Sequence, residues 1–151
     1  MLKRDYQGQD CSIARTLELV GERWTLLIIR DAFLGRRRFD EFRDSLCIAS
    51  NVLTVRLNRL VEHELLERLA YREHPERFEY RLTTKGADLR VALLALMQWG
   101  DRYLSETPPR IARRVSDGLP ITAALVAADG SILDTAEVET VPGPARKLDP
   151  P

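Results

Sequence analysis

The chain has 151 residues, which is enough for one domain and a modest appendage. Apolar residues make up 44% of it, which supports a packed core and argues against wholesale disorder. Lysine plus arginine number 23 and aspartate plus glutamate also number 23, so the formal net charge is zero. Any attraction to an anionic partner therefore has to come from a local excess of basic residues.

No membrane partner, metal or other cofactor is expected. The charged first residues have no apolar run behind them, which argues against a secretory signal. The longest nearly apolar stretches, residues 91–97 and 121–128, fall short of the roughly 18 residues that a membrane span needs. The two cysteines and two histidines lack the close spacing of metal ligands. We therefore expect a cytoplasmic protein.

Two helices are predicted at the start of the chain. Apolar residues recur at helical spacing up to Val20, with Ser12 as the expected N-cap and Gly21 as the stop. A second helix is expected from about Glu22 to Phe33. It is apolar almost all round, which predicts a central, buried position.

A short third helix and a longer fourth helix follow. One is expected to start near Phe39, because Phe39, Phe42 and Leu46 fall on one helical face. The next is expected to begin with Ser50 as its N-cap and to run to Glu62. Its apolar stripe is formed by Leu53, Leu57, Leu60 and Val61.

The second half of the chain begins with a β-hairpin. Residues 66–72 alternate partially, residues 74–77 predict a turn, and residues 78–82 alternate strictly between apolar and charged. A long helix is expected from about Ala87 to Leu104. After it, Asp129-Gly130 between apolar runs predicts a small hairpin. From Val141 the chain is expected to fray. We predict two domains, residues 1–107 and the extension 108–151.

The order of these elements predicts a winged helix-turn-helix. The third and fourth helices are joined by a short turn, and the hairpin that follows would be the wing. The fold class is therefore α+β and mainly helical, with terminal helices available for dimerisation and a small C-terminal β-hairpin extension. In such a fold the fourth helix fits the major groove of DNA.

The fourth helix has the chemistry that DNA recognition needs. No acidic residue occurs from Ser45 to Val61. Asparagine can bond adenine edges, arginine can bond guanine or phosphate, and valine can contact a thymine methyl. The alternative for this face is a neutral, solvent-exposed helix. The candidate contacts are Ser50, Asn51, Thr54, Val55, Arg56, Asn58 and Arg59.

Two further basic positions are candidates for phosphate contacts. Arg36, Arg37 and Arg38 precede the third helix, and their alternative is a solvated loop. Arg72 and Arg77 flank the wing turn, where the neighbouring glutamates weaken the attraction.

The chain resembles the HxlR family, a winged-helix relative of the MarR regulators. The resemblance is carried by residues 11–31, 38–42, 48–60 and 80–86, and it covers about residues 10–105. It implies a transcriptional regulator that acts as a homodimer, joined by its terminal helices, on a pseudo-palindromic operator in double-stranded DNA. Cys47 and Ala49 depart from the glycine and proline that are common in the family, which leaves the angle of the fourth helix open.

The resemblance also makes Cys11 a redox-sensing candidate, because some family members use a cysteine here to sense electrophiles or oxidants. Its place at the start of the first helix favours the thiolate. The alternative is a small apolar residue packed under a dimer helix. An electrophile or a small molecule is the effector class left open.

An enzyme and a protein-binding module are the two other functions to compare with DNA binding. No nucleophile–base pair, Gly-rich phosphate loop or H-E-x-x-H motif occurs, so an enzyme is not expected. A winged-helix module that binds protein without specific DNA binding remains the alternative, since the net charge is zero.

Overall fold

The helices form where apolar residues recur at helical spacing, and the computed structural model describes residue 6, residues 11–73, residues 75–141 and residue 143. The helices are α1 (Ser12–Val20), α2 (Thr25–Phe33), α3 (Phe39–Leu46), α4 (Ser50–Glu62), α5 (Thr84–Ala87) and α6 (Arg90–Tyr103). The strands are β1 (Leu66–Glu73), β2 (Glu76–Leu82), β3 (Leu125–Val126) and β4 (Ile132–Leu133), and a 3-10 turn spans Thr135–Glu137. The predicted fold class is confirmed.

The chain divides into two compact units, residues 1–97 and residues 98–151. The core of the first unit is built from α2, α3, α4 and β1, and α2 is central as predicted. Its fully buried apolar side chains are Ile28, Ile29, Phe42, Leu53, Leu57, Leu60 and Leu66. The domain boundary expected after residue 107 stays a prediction.

Two predicted N-caps are wrong. Ser12 and Ser50 are the first residues inside α1 and α4, and the N-cap positions are held by Cys11 and Ala49. The N-cap is the residue whose carbonyl accepts the first hydrogen bond of the helix. In α1 the carbonyl of Cys11 accepts from the amide of Arg15, and in α4 the carbonyl of Ala49 accepts from the amide of Leu53.

Two predicted helices start later than expected. The amide of Thr25 donates to the carbonyl of Glu22 across a tight turn, so α2 begins three residues after the expected position. The long helix expected from about Ala87 begins only at Arg90, as α6. The short helix α5 precedes it, and a turn at Asp88 separates the two. The hydroxyl of Thr83 accepts from the amide of Gly86, which caps α5 as a separate turn of helix.

The wing is an antiparallel hairpin in which β1 pairs with β2 in the register Leu66 to Leu82. A bulge after Ala70 shifts the register before Arg72 pairs with Arg77. His74, part of the predicted wing turn, lies outside the described residues.

The second unit contains the predicted C-terminal hairpin. Strands β3 and β4 pair antiparallel around Gly130, whose φ of 87° is the left-handed conformation that glycine adopts without strain. Most of the segment expected to fray from Val141, residue 142 and residues 144–151, lies outside the described residues.

Candidate nucleic-acid interface

Helix α4 separates a buried face from a polar, exposed one. Leu53, Leu57 and Leu60 are buried in the core of the first unit. Exposed on the other side are Ser50, Asn51, Thr54, Val55 and Asn58. This face combines amide, hydroxyl and small apolar groups, which are the groups that read base edges in a major groove.

Polar groups at the start of α4 are satisfied locally. The hydroxyl of Thr54 donates to the carbonyl of Ser50 at 2.8 Å, and the amide of Val52 donates to the Asn51 side chain at 2.9 Å. The side-chain amide nitrogen of Asn51 donates to no described residue, so that group remains available to an acceptor outside the chain.

The two arginines of α4 are turned toward the first helix of the chain. The Arg56 guanidinium lies 2.9 Å from the Glu22 carboxylate, and its side chain is only 19% exposed. The Arg59 guanidinium donates to the backbone carbonyl of Glu18. Among the described residues, neither buried Nε atom has a hydrogen-bond partner. These arginines therefore connect α4 to the end of α1 and the turn that follows it.

The turn between α3 and α4 accommodates both departures from the family pattern. Cys47 has a φ of 50°, the left-handed conformation that glycine adopts most readily. Ala49 has a φ of −64°, the value that a proline ring would impose. The backbone thus keeps the path that glycine and proline favour, with residues that do not enforce it.

The three arginines before α3 occupy different surroundings. Arg36 Nε lies 3.8 Å from a carboxylate oxygen of Asp31, a residue with no exposed surface. The Arg37 side chain is exposed and makes no ion pair or side-chain hydrogen bond with a described residue. Arg38 is 3.6 Å from the Glu79 carboxylate, and its guanidinium lies 4.7 Å from the centre of the Tyr71 ring.

The backbone of this loop is bonded to the wing. The carbonyl of Arg37 accepts from the amide of Tyr80 at 2.7 Å, and Arg38 forms an isolated antiparallel bridge with Glu79. The Glu41 carboxylate accepts from the amides of Arg37 and Arg38 at 2.8 and 3.0 Å. These hydrogen bonds hold the pKa of Glu41 below its ordinary value of 4.5, and the charges of Arg38 and Arg36 add to the effect.

At the tip of the wing, two arginines face each other across the strands. Arg72 and Arg77 are cross-strand partners, and both are exposed. Arg77 forms no ion pair with any residue that the structure describes.

Cys11 is a half-buried free thiol at the N-cap position of α1. It immediately precedes α1, whose last turn contacts Arg59 through the carbonyl of Glu18.

The part of the chain that the structure describes contains no group of three or more His, Cys, Asp or Glu that could hold a metal ion. Within the same residues, no helix is long and apolar enough to cross a membrane.

The sequence did not predict the intramolecular partners of the α4 arginines, which are the Glu22 carboxylate and the Glu18 backbone carbonyl. Glu22 lies 34 residues from Arg56, and Glu18 lies 41 residues from Arg59, so no local spacing connects them. For Arg38, the sequence contains only a weak indication of its partner Glu79, because the alternation of the wing places this charged residue between two aromatic ones.

A helical core, the helix α4 with its exposed polar face, a basic loop before α3 and a β-hairpin wing together define a winged helix-turn-helix DNA-binding protein. The profile of HxlR-like helix-turn-helix proteins matches residues 19–108. The chain belongs to this family, and it is a DNA-binding transcriptional regulator rather than an enzyme, as the sequence predicted.

The relatives fall into two groups by how much of the chain they match. An HTH-type transcriptional regulator of Mycobacterium tuberculosis is 44% identical over 149 residues, covering 97% of this chain and 93% of its own. The structure of a transcription factor from Pseudomonas aeruginosa, PA1374, has a TM-score of 0.67 at 45% identity and covers 91% of this chain and 95% of its own. The transcriptional regulator YodB of Bacillus subtilis, in its reduced form, covers 64% of this chain and 96% of its own, with a TM-score of 0.54 at 31% identity. A diamide-treated form of YodB also matches.

Proposed function

We propose that this regulator acts in the cytoplasm as a homodimer, with one α4 helix of each copy in successive major grooves of a pseudo-palindromic operator. The observation that carries the proposal is the exposed polar face of α4, opposite a fully buried leucine stripe. Two recognition helices related by a two-fold axis would lie about one DNA turn apart, roughly 34–36 Å.

In this proposal the base edges are read by Asn51, Val55 and Asn58, while the hydroxyls of Ser50 and Thr54 face the groove or the phosphates. Support comes from their exposure at the N-terminal half and outer side of α4. A helix N-terminus also favours phosphate.

Arg56 and Arg59 have a double role in the proposal. Each guanidinium carries five donors, and the contacts to Glu22 and Glu18 use only part of them. We assign the remaining donors to phosphate and assign the intramolecular contacts to positioning α4.

Phosphates on either side of the groove would be contacted by the basic loop and the wing. Arg37 and Arg77 supply guanidinium groups that no described residue neutralises. Arg36 and Arg38, which are near Asp31 and Glu79, would contribute less per residue. Arg72 adds its charge opposite Arg77.

The dimer is supported by apolar surface on the terminal helices of the chain. Ile13 of α1 is 71% exposed, and α6 exposes Leu96, Trp99 and Tyr103 along one side. Apolar surface of this extent on a helix is characteristic of a protein interface. Sedimentation that shows only monomer at micromolar concentration would remove this part of the proposal.

We further propose that Cys11 makes DNA binding responsive to oxidants or electrophiles. The support is its position at the N-cap of α1, whose far end contacts α4, together with the reduced and diamide-treated structures of the relative YodB. Diamide should weaken operator binding by the wild type and spare Cys11→Ser. Equal loss in both proteins would exclude Cys11 from the response.

The decisive experiment for the whole proposal is binding of the reduced protein to DNA from its own upstream region and to scrambled DNA, across a salt series. We expect selective binding with a steep salt dependence. Equal, weak binding to both DNAs, repeated with a genomic library, would instead favour a module that docks on protein.

A further inference from the structure

The second unit is ordered by hydrogen bonds and not by a core. Its first loop is closed by the amide of Ile121 donating to the carbonyl of Ala112 at 3.0 Å, and β3 and β4 form its second hairpin. Among the described residues from 98 to 143, none is buried in the single chain. Two-stranded hairpins without a covered apolar face are marginal in water, so this unit needs a surface to pack against.

The extension is fastened to the C-terminal half of α6 by one side chain. The Gln98 amide group donates to the carbonyl of Ile121 and accepts from the amide of Ala123, both at 2.8 Å. This pair of bonds imitates a strand pairing. It holds the extension on the helical turn that carries Trp99 and Tyr103, whose rings contact each other and are largely exposed.

The second unit, which includes the last turns of α6 and the extension, presents a large amount of apolar surface. From residue 98 onward, twelve large apolar side chains are at least 42% exposed: Trp99, Tyr103, Leu104, Ile111, Val115, Leu119, Ile121, Leu125, Val126, Ile132, Val138 and Val141. At roughly 100 Å² each, they offer on the order of 1,000 Å², against the roughly 800 Å² per partner of a standard interface. The available area therefore matches what a stable dimer needs.

A second copy of this chain is the occupant that these facts favour. A unit with no fully buried side chain among its described residues gains most from a partner that is always present, and an identical chain meets that condition. Trp99 and Tyr103 also lie on the side of α6 proposed as the dimer seam, close in the chain to Gln98, which bonds the extension to this helix.

We infer that the extension forms a second dimer contact, in which the hairpin β3–β4 of each copy packs against the extension of its partner. The inference rests on the proposed homodimer. The contact is centred on Val126 and Ile132, which are cross-strand partners exposed by 61% and 76%. Relatives that align over nearly the whole chain would share this contact, whereas YodB, which matches 64% of the chain, would not.

The test compares the full-length wild type with the double variant Val126→Glu, Ile132→Glu by sedimentation equilibrium. The expected result is a dimer dissociation constant raised roughly tenfold or more, since carboxylates in an apolar contact must be desolvated. The matched control is Thr122→Glu, which adds a carboxylate at an exposed polar position of the same extension and should change the constant less than about twofold. Equal dissociation constants for the wild type and the double variant would overturn the inference.

A second measurement does not depend on how the variant folds. In the wild type, hydrogen exchange at the amide of Ala127, which donates to Ser131 at 2.9 Å, should slow as protein concentration rises through the dimer transition. Exchange that is independent of concentration while the protein dimerises would also overturn the inference. A wild type that stays monomeric would instead defeat the homodimer itself, and operator binding, measured separately, would show whether the DNA-binding proposal survives.

Discussion

The guanidinium of Arg56 on α4 lies 2.9 Å from the carboxylate of Glu22, in the turn between α1 and α2. One helical turn further along α4, Arg59 donates to the carbonyl of Glu18 at the end of α1. Helix α4 is thus connected to α1 and to the turn after it by two arginines that the sequence suggested only as DNA contacts. A displacement of α1 has a direct route to the position of α4.

Replacing Glu22 by glutamine removes the charge of this pair and leaves its shape. We expect a loss of stability of about 0.2–1 kcal/mol, because Glu22 is half exposed and the pair is partly screened. Urea unfolding measures it. Glu62→Gln, which removes a charge from the exposed end of α4 without breaking an ion pair with a described residue, is the control. A larger loss in the control would contradict the role assigned to Glu22.

Alanine substitutions of Arg59 and Arg77 should distinguish a residue that stabilises the fold from one that mainly contributes to DNA binding. Arg59→Ala removes a part-buried hydrogen bond to the Glu18 carbonyl, and we expect it to cost about 1–3 kcal/mol in unfolding. Arg77→Ala should change stability by less than about 0.5 kcal/mol. It should also reduce the salt dependence of DNA binding by about one phosphate contact. An Arg77 variant with an unchanged salt slope would remove the wing tip from the interface.

Asn58 tests whether α4 reads bases. Asn58→Ala is expected to weaken binding to the operator by about 1–3 kcal/mol and to leave binding to scrambled DNA nearly unchanged, because an asparagine bonded to a base edge contributes only at the correct sequence. Competition between the two DNAs at one salt concentration measures the difference. Equal weakening on both would instead assign Asn58 to the phosphates.

The lowered pKa of Glu41 predicts how stability depends on pH. Because the folded state favours the ionised carboxylate, its contribution is fully present above the ordinary value of 4.5 and is lost as pH falls through the lower pKa of the folded state. The wild type should therefore be more stable than Glu41→Gln at pH 6, and the gap should narrow as the pH drops below 4.5. Unfolding midpoints across this range measure the gap. A constant gap would show that the two amide hydrogen bonds do not depend on the charge.

Gly86 is required by packing. A Cβ at this position would lie 2.1 Å from the carbonyl oxygen of Leu65, and backbone cannot yield as a flexible side chain can. We expect Gly86→Ala to destabilise the protein by about 1–3 kcal/mol in thermal unfolding. Gly100→Ala is the matched control, since its Cβ would meet no described atom within 4 Å beyond its chain neighbours and the backbone of its own helix, and alanine favours the helix. Equal stability of the two variants would contradict the predicted clash.

The sequence predicts those features of the fold and of the candidate site that depend on neighbouring residues, and it does not predict those that depend on distant ones. Apolar spacing is local, so the range of α4, the wing and the C-terminal hairpin were predicted closely. A helix start depends on which carbonyl first accepts a bond, and this decided against Ser12 and Ser50 in favour of their neighbours. Ion pairs between residues 34 positions apart leave no local pattern, so the partner of Arg56 emerged only from the fold.

The hydrogen bond from the amide of Tyr80 to the carbonyl of Arg37 fixes the distance between the basic loop and the wing. The basic loop and the wing cannot open independently, because the backbone of the loop is hydrogen-bonded to strand β2 of the wing. If DNA binds as proposed, the guanidinium groups of the basic loop and those of the wing lie a fixed distance apart. A duplex whose phosphates match that distance is contacted by both sets, whereas a narrower or wider groove is contacted by only one of them. Part of the discrimination between sequences would then come from the width of the groove, at base pairs that no side chain touches.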